Sequence, residues 1–260
     1  MFFAGIDAGS RAIKMALIDN KGVVLNTGVT DQGVDQVTLA ERLMRNTLAE
    51  SGIESNKIKA IIATGYGRDA LEFADTAITE ITCHAKGVTH VMADAMTIID
   101  IGCQDSKVIR LEPDGRVRDF KMNDRCAAGT GRFLEVVAER LNVTIGDIGP
   151  LVANAENPAN ISSMCVVFAE TEIIGLLASG ESRDNILAGV QNSITSRIAA
   201  MAGRQVADPV VFTGGVALIP GMDKALEEAI NHPVSISRSP QYTGAIGAAL
   251  LARERFGRNE

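Results

Sequence analysis

Two stretches of the chain share one pattern of apolar and polar residues, and each predicts three antiparallel strands joined by tight turns. In both stretches an apolar strand ends in an aspartate and a glycine turn, and a strand of alternating apolar and polar residues follows. A lysine stands seven residues after the aspartate in each copy, and a turn glycine stands fifteen residues after it. The chain therefore contains a diverged repeat of a β-meander, whose matching residues are Asp7, Lys14 and Gly22 in the first copy and Asp100, Lys107 and Gly115 in the second.

Helices and further strands are predicted after each meander. The first half predicts an amphipathic helix near residues 35–51 and a buried strand over Ile58–Thr64. Repeated strands followed by helices indicate an α/β fold of two similar lobes, with a ligand cleft expected between them. The second half predicts helices around residues 133–141 and 186–201, a short strand over Val210–Thr213 and a last helix from Gly244 to about Arg255.

The length of 260 residues fits one large domain or two small ones, and the repeat favours two. We expect a first lobe over residues 1–95 and a second lobe over residues 96–260. The C-terminal helix of residues 243–260 is expected to pack back on the first lobe, while the second lobe holds Cys126 and Cys165.

The composition excludes several classes of protein. Hydrophobic residues make up 46% of the chain and charged residues 22%, which is typical of a globular core. The formal net charge is −7 and no block rich in Lys and Arg stands out, so we expect no nucleic-acid partner. The N-terminus lacks a basic region, and no apolar run approaches the ~18 residues of a membrane span. We expect a cytoplasmic protein that does not enter a membrane.

The two glycine turns carry residue types that suit a phosphate group. Small residues between two strands let backbone N–H groups approach a phosphate, and the Ser10 hydroxyl can donate one more hydrogen bond. Gln104 can orient an attacking water molecule. Lys14 and Lys107 are the candidates to supply positive charge to an anion. Asp7 and Asp100 are the candidates to hold a hydrated Mg²⁺.

One Asp-x-Gly-Ser segment alone would also fit an ordinary hairpin turn. Two copies in register, together with a third glycine turn at Thr213-Gly214-Gly215, favour nucleotide phosphates instead.

Several segments resemble a known family. Ile6–Lys14, Ile99–Lys107 and Phe212–Val216 are similar to the phosphate-1, phosphate-2 and adenosine motifs of the superfamily of actin, sugar kinases and heat-shock chaperone ATPases. Ala63–Arg68, Met122–Glu135 and Ser162–Glu170 resemble, more narrowly, the activator (component A) of 2-hydroxyacyl-CoA dehydratases and the ATP-binding subunits of benzoyl-CoA reductase, the BadF/BadG/BcrA/BcrD type. The similarity covers essentially the whole chain.

The resemblance implies an actin-like (ribonuclease H-like) fold and a homodimer. It implies ATP or ADP with Mg²⁺ in each subunit and one [4Fe–4S] cluster per dimer, with Cys126 and Cys165 of both chains as ligands. The implied activity is an ATPase that delivers a low-potential electron to a partner 2-hydroxyacyl-CoA dehydratase-like iron–sulfur enzyme. Ferredoxin or flavodoxin would be the electron donor, and the protein would be sensitive to oxygen.

The resemblance also implies the roles of individual residues. Gln104, Asp7 and Asp100 are the implied catalytic residues. The implied nucleotide contacts are Ser10, Arg11, Ala12, Ile13, Lys14, Gly102, Gln104, Lys107, Gly129, Gly131, Gly214, Gly215 and Gln241.

The four cysteines can also be judged from their surroundings. A cubane cluster takes four thiolates, but the chain has no Cys-x-x-Cys segment. Cys126 and Cys165 each precede a helical pattern, where the helix dipole favours a negatively charged group. Two such residues per chain make four in a symmetric dimer. The alternative for both is packing as small hydrophobic side chains.

Two further positions leave alternatives open. The neighbours Cys83 and His84 are compatible with a metal pair, although core packing is the simpler interpretation. Cys103 stands in the second phosphate loop where relatives carry glycine. It is interpreted as drift in a turn that needs no positive φ, or as a redox or regulatory thiol.

Three other functions remain as alternatives to the activator. One is a permanent ATPase subunit of a benzoyl-CoA reductase-type complex. Another is a sugar or acyl-group kinase of the same superfamily, which would leave both cysteine motifs unexplained. The last is a nucleotide-sensing or scaffold module without a cluster.

Overall fold

The first copy of the repeat folds as the sequence predicts. The computed structural model describes residues 1–162 and 165–257. The strands β1 (Phe2–Ala8), β2 (Ala12–Asp19) and β3 (Val24–Asp31) form an antiparallel meander that turns at Gly22, where φ is 88°. The predicted helix and strand follow as α1 (Gln36–Glu50) and β4 (Ile58–Thr64).

A short strand and a helix that the periodicity did not predict complete the first half. They are β5 (Thr76–Ala77) and α2 (Glu80–Val91). The helix α2 contains threonine, cysteine, histidine, glycine and valine, which are weak helix formers. Burial of Cys83, Ala85 and Val88 against other elements therefore stabilises a helix that its local sequence does not favour.

The second copy repeats the meander and then becomes mainly helical. The predicted helices near 133–141 and 186–201 and the strand over 210–213 are confirmed, as is the last helix. In chain order the elements are β6 (Thr97–Ile101), β7 (Ser106–Leu111), β8 (Val117–Asn123), α3 (Gly131–Arg140), α4 (Ile148–Ala153), α5 (Val166–Ala178), α6 (Arg183–Ala202), β9 (Val210–Thr213), α7 (Met222–Ile230), β10 (Val234–Ile236) and α8 (Thr243–Phe256).

The repeat extends to five strands rather than three. The two sheets have the orders β3-β2-β1-β4-β5 and β8-β7-β6-β9-β10, which are the same order when the copies are aligned. In each sheet the first strand of the meander is antiparallel to the second, and it is parallel to the strand that follows the helical segment.

The chain divides into two units. The first unit comprises Met1–Ala95, Leu111–Val117 and the stretch that begins at Ser237, and the second comprises Met96–Arg110 and Arg118–Ile236. The helix α8 belongs to the first unit, where it packs on β1 and α2. Its residues Ala245, Ala248 and Ala249 are fully buried, and their small side chains permit this close approach.

The first unit has a hydrophobic core on each face of its sheet. Phe3 and Ile18 pack on one face with α8, whereas Ile6 and Leu17 pack on the other with α1. Side chains alternate between faces along a strand, so one strand contributes to both cores. Among the described residues of the second unit, one hydrophobic core joins β6, β7 and β9 with the helices α3 to α7.

Candidate functional site

In the first unit, Asp7 lies at the end of β1 beside a lysine on the neighbouring strand. The register pairs Asp7 with Lys14, and Lys14 Nζ lies 3.6 Å from Asp7 Oδ2. The Lys14 side chain is 21% exposed and that of Asp7 is 10% exposed. Because water is largely excluded, their attraction is stronger than that of a surface pair. The pair places opposite charges beside the first glycine turn.

The turn after Asp7 is closed by hydrogen bonds. Gly9 N donates to Ala12 O at 3.1 Å, and Gln32 Nε2 donates to Gly9 O at 2.9 Å. Arg11 is exposed, and its Nη1 forms a salt bridge with Asp31 Oδ1 at 2.8 Å. The predicted nucleotide contacts Ser10, Arg11, Ala12, Ile13 and Lys14 thus lie on one turn and the start of β2. Ile13 is fully buried in the core.

Gly65 approaches Asp7 from the end of β4. The strand β4 is parallel to β1, and its last residue, Thr64, is paired with Asp7. Gly65 has a φ of 84°, and a β-carbon there would overlap Asp7 Oδ1 and lie 2.8 Å from the Ala8 carbonyl oxygen. Only glycine satisfies both conditions. Gly65 is therefore part of the surroundings of Asp7, a role that the sequence analysis did not assign to it.

In the second unit, Lys107 is buried between two carboxylates. Asp100 and Lys107 are paired in the same register as Asp7 and Lys14. Lys107 Nζ lies 3.1 Å from Asp100 Oδ2 and 3.0 Å from Asp105 Oδ2, and the Lys107 side chain is only 2% exposed. Two carboxylates thus surround the positive charge. Lys107 therefore bridges Asp100 and the turn residue Asp105, and its predicted role of supplying charge to an anion stays a prediction.

In the second unit, Gly214 approaches Asp100 closely, as Gly65 approaches Asp7 in the first unit. Thr213 at the end of β9 is paired with Asp100, and Gly214 follows with a φ of 92°. A β-carbon at Gly214 would overlap the Ile101 carbonyl oxygen and lie 2.9 Å from Asp100 Oδ1. Each aspartate therefore faces a Thr-Gly pair. The repeated pair was visible in the sequence, since each ends a predicted strand, but only the parallel register shows that the two pairs are equivalent.

The second glycine turn is joined to α3. Gly131 N donates to Gly102 O at 2.9 Å, and Arg132 N donates to Cys103 O at 2.7 Å. The first N–H groups of a helix have no partner within the helix, and here loop carbonyls accept two of them. The Gly131 N–H is thus already used by the loop, and the predicted nucleotide contact of Gly131 stays a prediction. Gln104 is exposed on the same loop.

The remaining predicted nucleotide contacts are spread over both units. In the second unit, Gly214 is buried, Gly215 is exposed, and Gly129 lies in a 3-10 turn over Ala127–Gly129 beside Arg197 of α6. In the first unit, Gln241 lies in the 3-10 turn Pro240–Tyr242, directly before α8.

Cys103 does not need the backbone freedom of glycine. The non-glycine residues with positive φ in the described parts of the chain are Asn142 and Asn231. The interpretation that the turn needs no positive φ at Cys103 is therefore confirmed.

Cys126 is exposed and precedes a short 3-10 turn rather than a long helix. Its N–H donates to Asn123 Oδ1 at 3.0 Å, and its carbonyl accepts from Asn123 Nδ2 at 2.7 Å. The 3-10 turn over Ala127–Gly129 follows, and α3 begins only at Gly131. The expected helix-dipole effect is therefore weak at Cys126, because it falls off within the first turn of a helix.

Cys165 is exposed and is the N-cap of α5. The positive end of the α5 dipole therefore lies at Cys165 and favours its thiolate. Val167, Phe168 and Ile174 on α5 are also exposed, at 68%, 69% and 53%. The preceding residues Ser163 and Met164 of the predicted motif lie outside the described residues. Several exposed large apolar side chains on one helix favour a surface that binds another protein.

Cys83 and His84 lie in the core of the first unit. Cys83 is fully buried, and this burial raises the pKa of its thiol to about 12. His84 is buried as well, and its Nδ1 lies 2.9 Å from Thr243 Oγ1. No group of three or more His, Cys, Asp or Glu side chains among the described residues could hold a metal ion. Cys83 and His84 are therefore packed in the core and do not form half of such a group.

Throughout residues 1–162 and 165–257, no helix is both long enough and apolar enough to cross a lipid bilayer.

Comparisons with known proteins show which family the chain belongs to. The model of the BadF/BadG/BcrA/BcrD ATPase family matches residues 4–252. The activator of lactoyl-CoA dehydratase from Anaerotignum propionicum is 42% identical over 255 residues, which are 98% of this chain and 98% of the relative. One of the subunits of benzoyl-CoA reductase from Thauera aromatica is 36% identical over 265 residues, covering 95% of this chain and 91% of that protein.

A solved structure shows the same fold. The activator of the 2-hydroxyisocaproyl-CoA dehydratase from Clostridium difficile, solved with bound ADPNP, matches with a TM-score of 0.94 and 38% identity over 99% of this chain and 96% of that one. A glucokinase of the ROK family from Streptomyces griseus matches with a TM-score of 0.60 at 14% identity, which shows a shared actin-like fold alone. The family model and the full-length relatives agree, and the chain belongs to the BadF/BadG/BcrA/BcrD ATPase family.

Proposed function

We propose that the protein is an ATP-dependent activator that transfers an electron to a 2-hydroxyacyl-CoA dehydratase. The full-length similarity to named dehydratase activators supports the nucleotide and the partner. The observation that carries the electron-transfer role is the exposure of Cys126 and Cys165, in contrast to buried Cys83. A sugar or acyl-group kinase would not require two exposed thiols beside the starts of helical segments.

ATP is the proposed ligand of the two glycine turns. Backbone N–H groups and the Ser10 hydroxyl of the first turn would bind phosphate, with Lys14 supplying charge. Gln104, exposed on the second turn, would orient the attacking water. Asp7 and Asp100 are the proposed carboxylates for Mg²⁺, which keeps several waters and binds phosphate oxygens in such sites.

The donor set fits an iron–sulfur cluster shared between two chains. Both thiols are solvent-accessible, and Cys165 lies at a helix N-terminus, where a negatively charged group is stabilised. Two thiolates per chain make the four ligands of a cubane only if two chains contribute. A [4Fe–4S] cluster bound there would supply a one-electron carrier of low potential.

A homodimer is the proposed working unit. The exposed apolar side chains Val167, Phe168 and Ile174 on α5 adjoin Cys165 and favour a protein interface there. A symmetric dimer contains this apolar surface twice, once in each chain, together with that chain's Cys126 and Cys165.

Delivering an electron at a potential below that of its donor needs a free energy of the size that nucleotide hydrolysis supplies. Moving one electron through 100 mV costs ~2.3 kcal/mol, so delivery ~300 mV below the donor requires about 7 kcal/mol. Ferredoxin or flavodoxin is the proposed donor. An exposed cluster of low potential is easily oxidised, so the protein is expected to lose activity in air.

A second candidate is a permanent ATPase component of a benzoyl-CoA reductase-type complex. The 36% identity to the benzoyl-CoA reductase protein from Thauera aromatica favours it. The two functions differ in the lifetime of the complex, since a permanent component co-purifies in fixed stoichiometry and an activator does not.

The activator is tested by adding the anaerobically reduced protein to 2-hydroxyisocaproyl-, lactoyl- and 2-hydroxyglutaryl-CoA dehydratases. We expect dehydration to begin in at least one mixture with ATP and in none with ADP. Gln104→Ala should lower both ATP hydrolysis and activation. Dehydration that starts equally well without ATP, or fails with all three enzymes, would contradict the proposal.

A further inference from the structure

The second glycine turn and α3 are connected by side chains as well as by backbone. Glu135 Oε2 accepts a hydrogen bond from Cys103 Sγ at 3.6 Å and from Arg132 Nη1 at 2.9 Å. Cys103 is on the loop, whereas Arg132 and Glu135 are on the first turns of α3. Together with the two backbone hydrogen bonds from Gly131 and Arg132, these contacts fix the loop against the helix.

The start of α3 is connected in turn to Cys126. Thr130, directly before α3, is fully buried, and both its N–H and its Oγ1 donate to Ala127 O, at 3.1 and 2.8 Å. Ala127 follows Cys126, whose backbone is held by Asn123. Hydrogen bonds, together with the peptide bonds between neighbouring residues, therefore connect the loop to Cys126.

The far end of α3 reaches α5. Arg140 in the last turn of α3 forms a salt bridge with Glu170 of α5, and α5 begins directly after Cys165. With ten residues, α3 spans about 15 Å. One helix thus contacts the glycine turn at one end and the helix of the second exposed cysteine at the other.

We propose that Glu135 is a positioning residue that couples the second phosphate loop, through Cys103 and α3, to the backbone at Cys126. The proposal rests on the proposed function, because it assumes that a nucleotide binds this loop. When the loop changes shape with the nucleotide, the carboxylate of Glu135 makes α3 and the Cys126 segment follow. A glycine in place of Cys103 could not make this contact, so the side-chain part of the coupling depends on Cys103.

The test is hydrogen–deuterium exchange of the full-length, anaerobically purified protein with a non-hydrolysable ATP analogue and with ADP. The readout is the difference in exchange between the two nucleotides for the peptide covering residues 123–132. We expect Glu135→Gln to reduce this difference by about fivefold, since a charged acceptor is replaced by a weaker neutral one. Nucleotide affinity should stay within about threefold of wild type, because Glu135 itself binds no phosphate in this account.

Matched variants separate coupling from a general structural effect. Glu139→Gln makes the same chemical change one turn further along α3 and should leave the difference intact. Cys103→Ala should reproduce the effect of Glu135→Gln, and Cys103→Ser, which keeps a donor, should restore it in part.

Each outcome of the exchange experiment either supports or overturns the coupling role of Glu135. If Glu135→Gln keeps the full difference in exchange between the two nucleotides at residues 123–132, the coupling role of Glu135 is overturned. It is also overturned if Glu139→Gln reduces this difference as much as Glu135→Gln does. If wild type binds both nucleotides but shows no difference at residues 123–132, the coupling fails while nucleotide binding stands. If wild type binds neither nucleotide, the proposed function fails and the coupling fails with it.

Discussion

At the scale of single residues, the site depends on how closely the backbone approaches two aspartates. Gly65 and Gly214 each have positive φ, and each stands where a β-carbon would meet the aspartate carboxylate or the adjacent backbone. The carboxylates of Asp7 and Asp100 are therefore positioned by backbone as well as by lysine. A change at either glycine should act on the nearby aspartate before it acts on the fold.

Gly65→Ala should lower ATP affinity in addition to the stability that is lost through backbone strain. Gly52 is the matched control, because its φ of 66° is also positive but a β-carbon there meets nothing within 4 Å. Both alanine variants should lose about 1–2 kcal/mol of unfolding free energy from the left-handed conformation, and Gly65→Ala should lose more because its β-carbon also overlaps Asp7 and the Ala8 backbone. Only Gly65→Ala should also lose ATP affinity, measured by titration calorimetry. Equal ATP affinity in the two variants would contradict the role of Gly65.

Cys83 should make stability depend on alkaline pH. Burial raises the pKa of its thiol from near 9.0 to about 12, so above pH 9 the thiol ionises in the unfolded chain and stays protonated in the folded one. Its contribution to stability is complete below pH 9 and is lost as the pH rises towards 12, by about 1.4 kcal/mol per pH unit. Urea unfolding of Cys83→Ala and Cys83→Ser should show a shallower fall. A slope equal to that of wild type would contradict this.

At the scale of elements, the structure is a five-stranded unit used twice. Asp7 and Lys14 in the first sheet correspond in register to Asp100 and Lys107 in the second. The two pairs differ in their surroundings. Lys107 is buried between two carboxylates, whereas Lys14 is partly exposed and lies beside one carboxylate. The same change in each copy therefore has different consequences.

Lys107→Met should destabilise the protein more than Lys14→Met. Removing Lys107 leaves buried Asp100 without its lysine and should cost about 3–5 kcal/mol. Removing Lys14 should cost less, about 1 kcal/mol, because Lys14 is more exposed than Lys107 and lies beside a single carboxylate. The comparison is the urea-unfolding midpoint without nucleotide. Equal losses in the two variants would show that the repeat is equivalent in energy as well as in register.

The elements with clear periodicity could be predicted from sequence, and the others could not. The strands of both meanders, α1, α6 and α8 showed alternating or helical spacing. The helix α2 is built from weak helix formers and is stabilised by tertiary burial. A helical pattern after Cys165 was predicted and α5 confirms it, although exposed apolar residues such as Val167 and Phe168 obscure the division of the helix into a polar and an apolar face.

The two Asp–Lys pairs could be predicted from the sequence, but the contacts around them could not. The spacing of the repeat identified Asp7, Lys14, Asp100 and Lys107. It could not show that Asp105 also contacts Lys107, because that depends on the turn conformation of residues 102–105. Nor could it show that the Gly131 N–H is used by the loop, since that hydrogen bond joins segments distant in sequence.

At the scale of the whole molecule, the proposed function requires a second copy of the chain. Each chain offers two exposed thiols in one unit, Cys126 and Cys165, while Cys83 is buried in the other. The four ligands of a cubane cluster then come from two chains. Iron content and oligomeric state should therefore change together.

The most direct measurement is iron content and native mass of the anaerobically purified protein, for wild type and for single cysteine variants. The account predicts a wild-type dimer with about four irons. Cys126→Ala and Cys165→Ala should each lose the iron, whereas Cys103→Ala, the matched control, should keep it. Full iron in Cys126→Ala or Cys165→Ala, or iron bound to a monomer, would contradict the account.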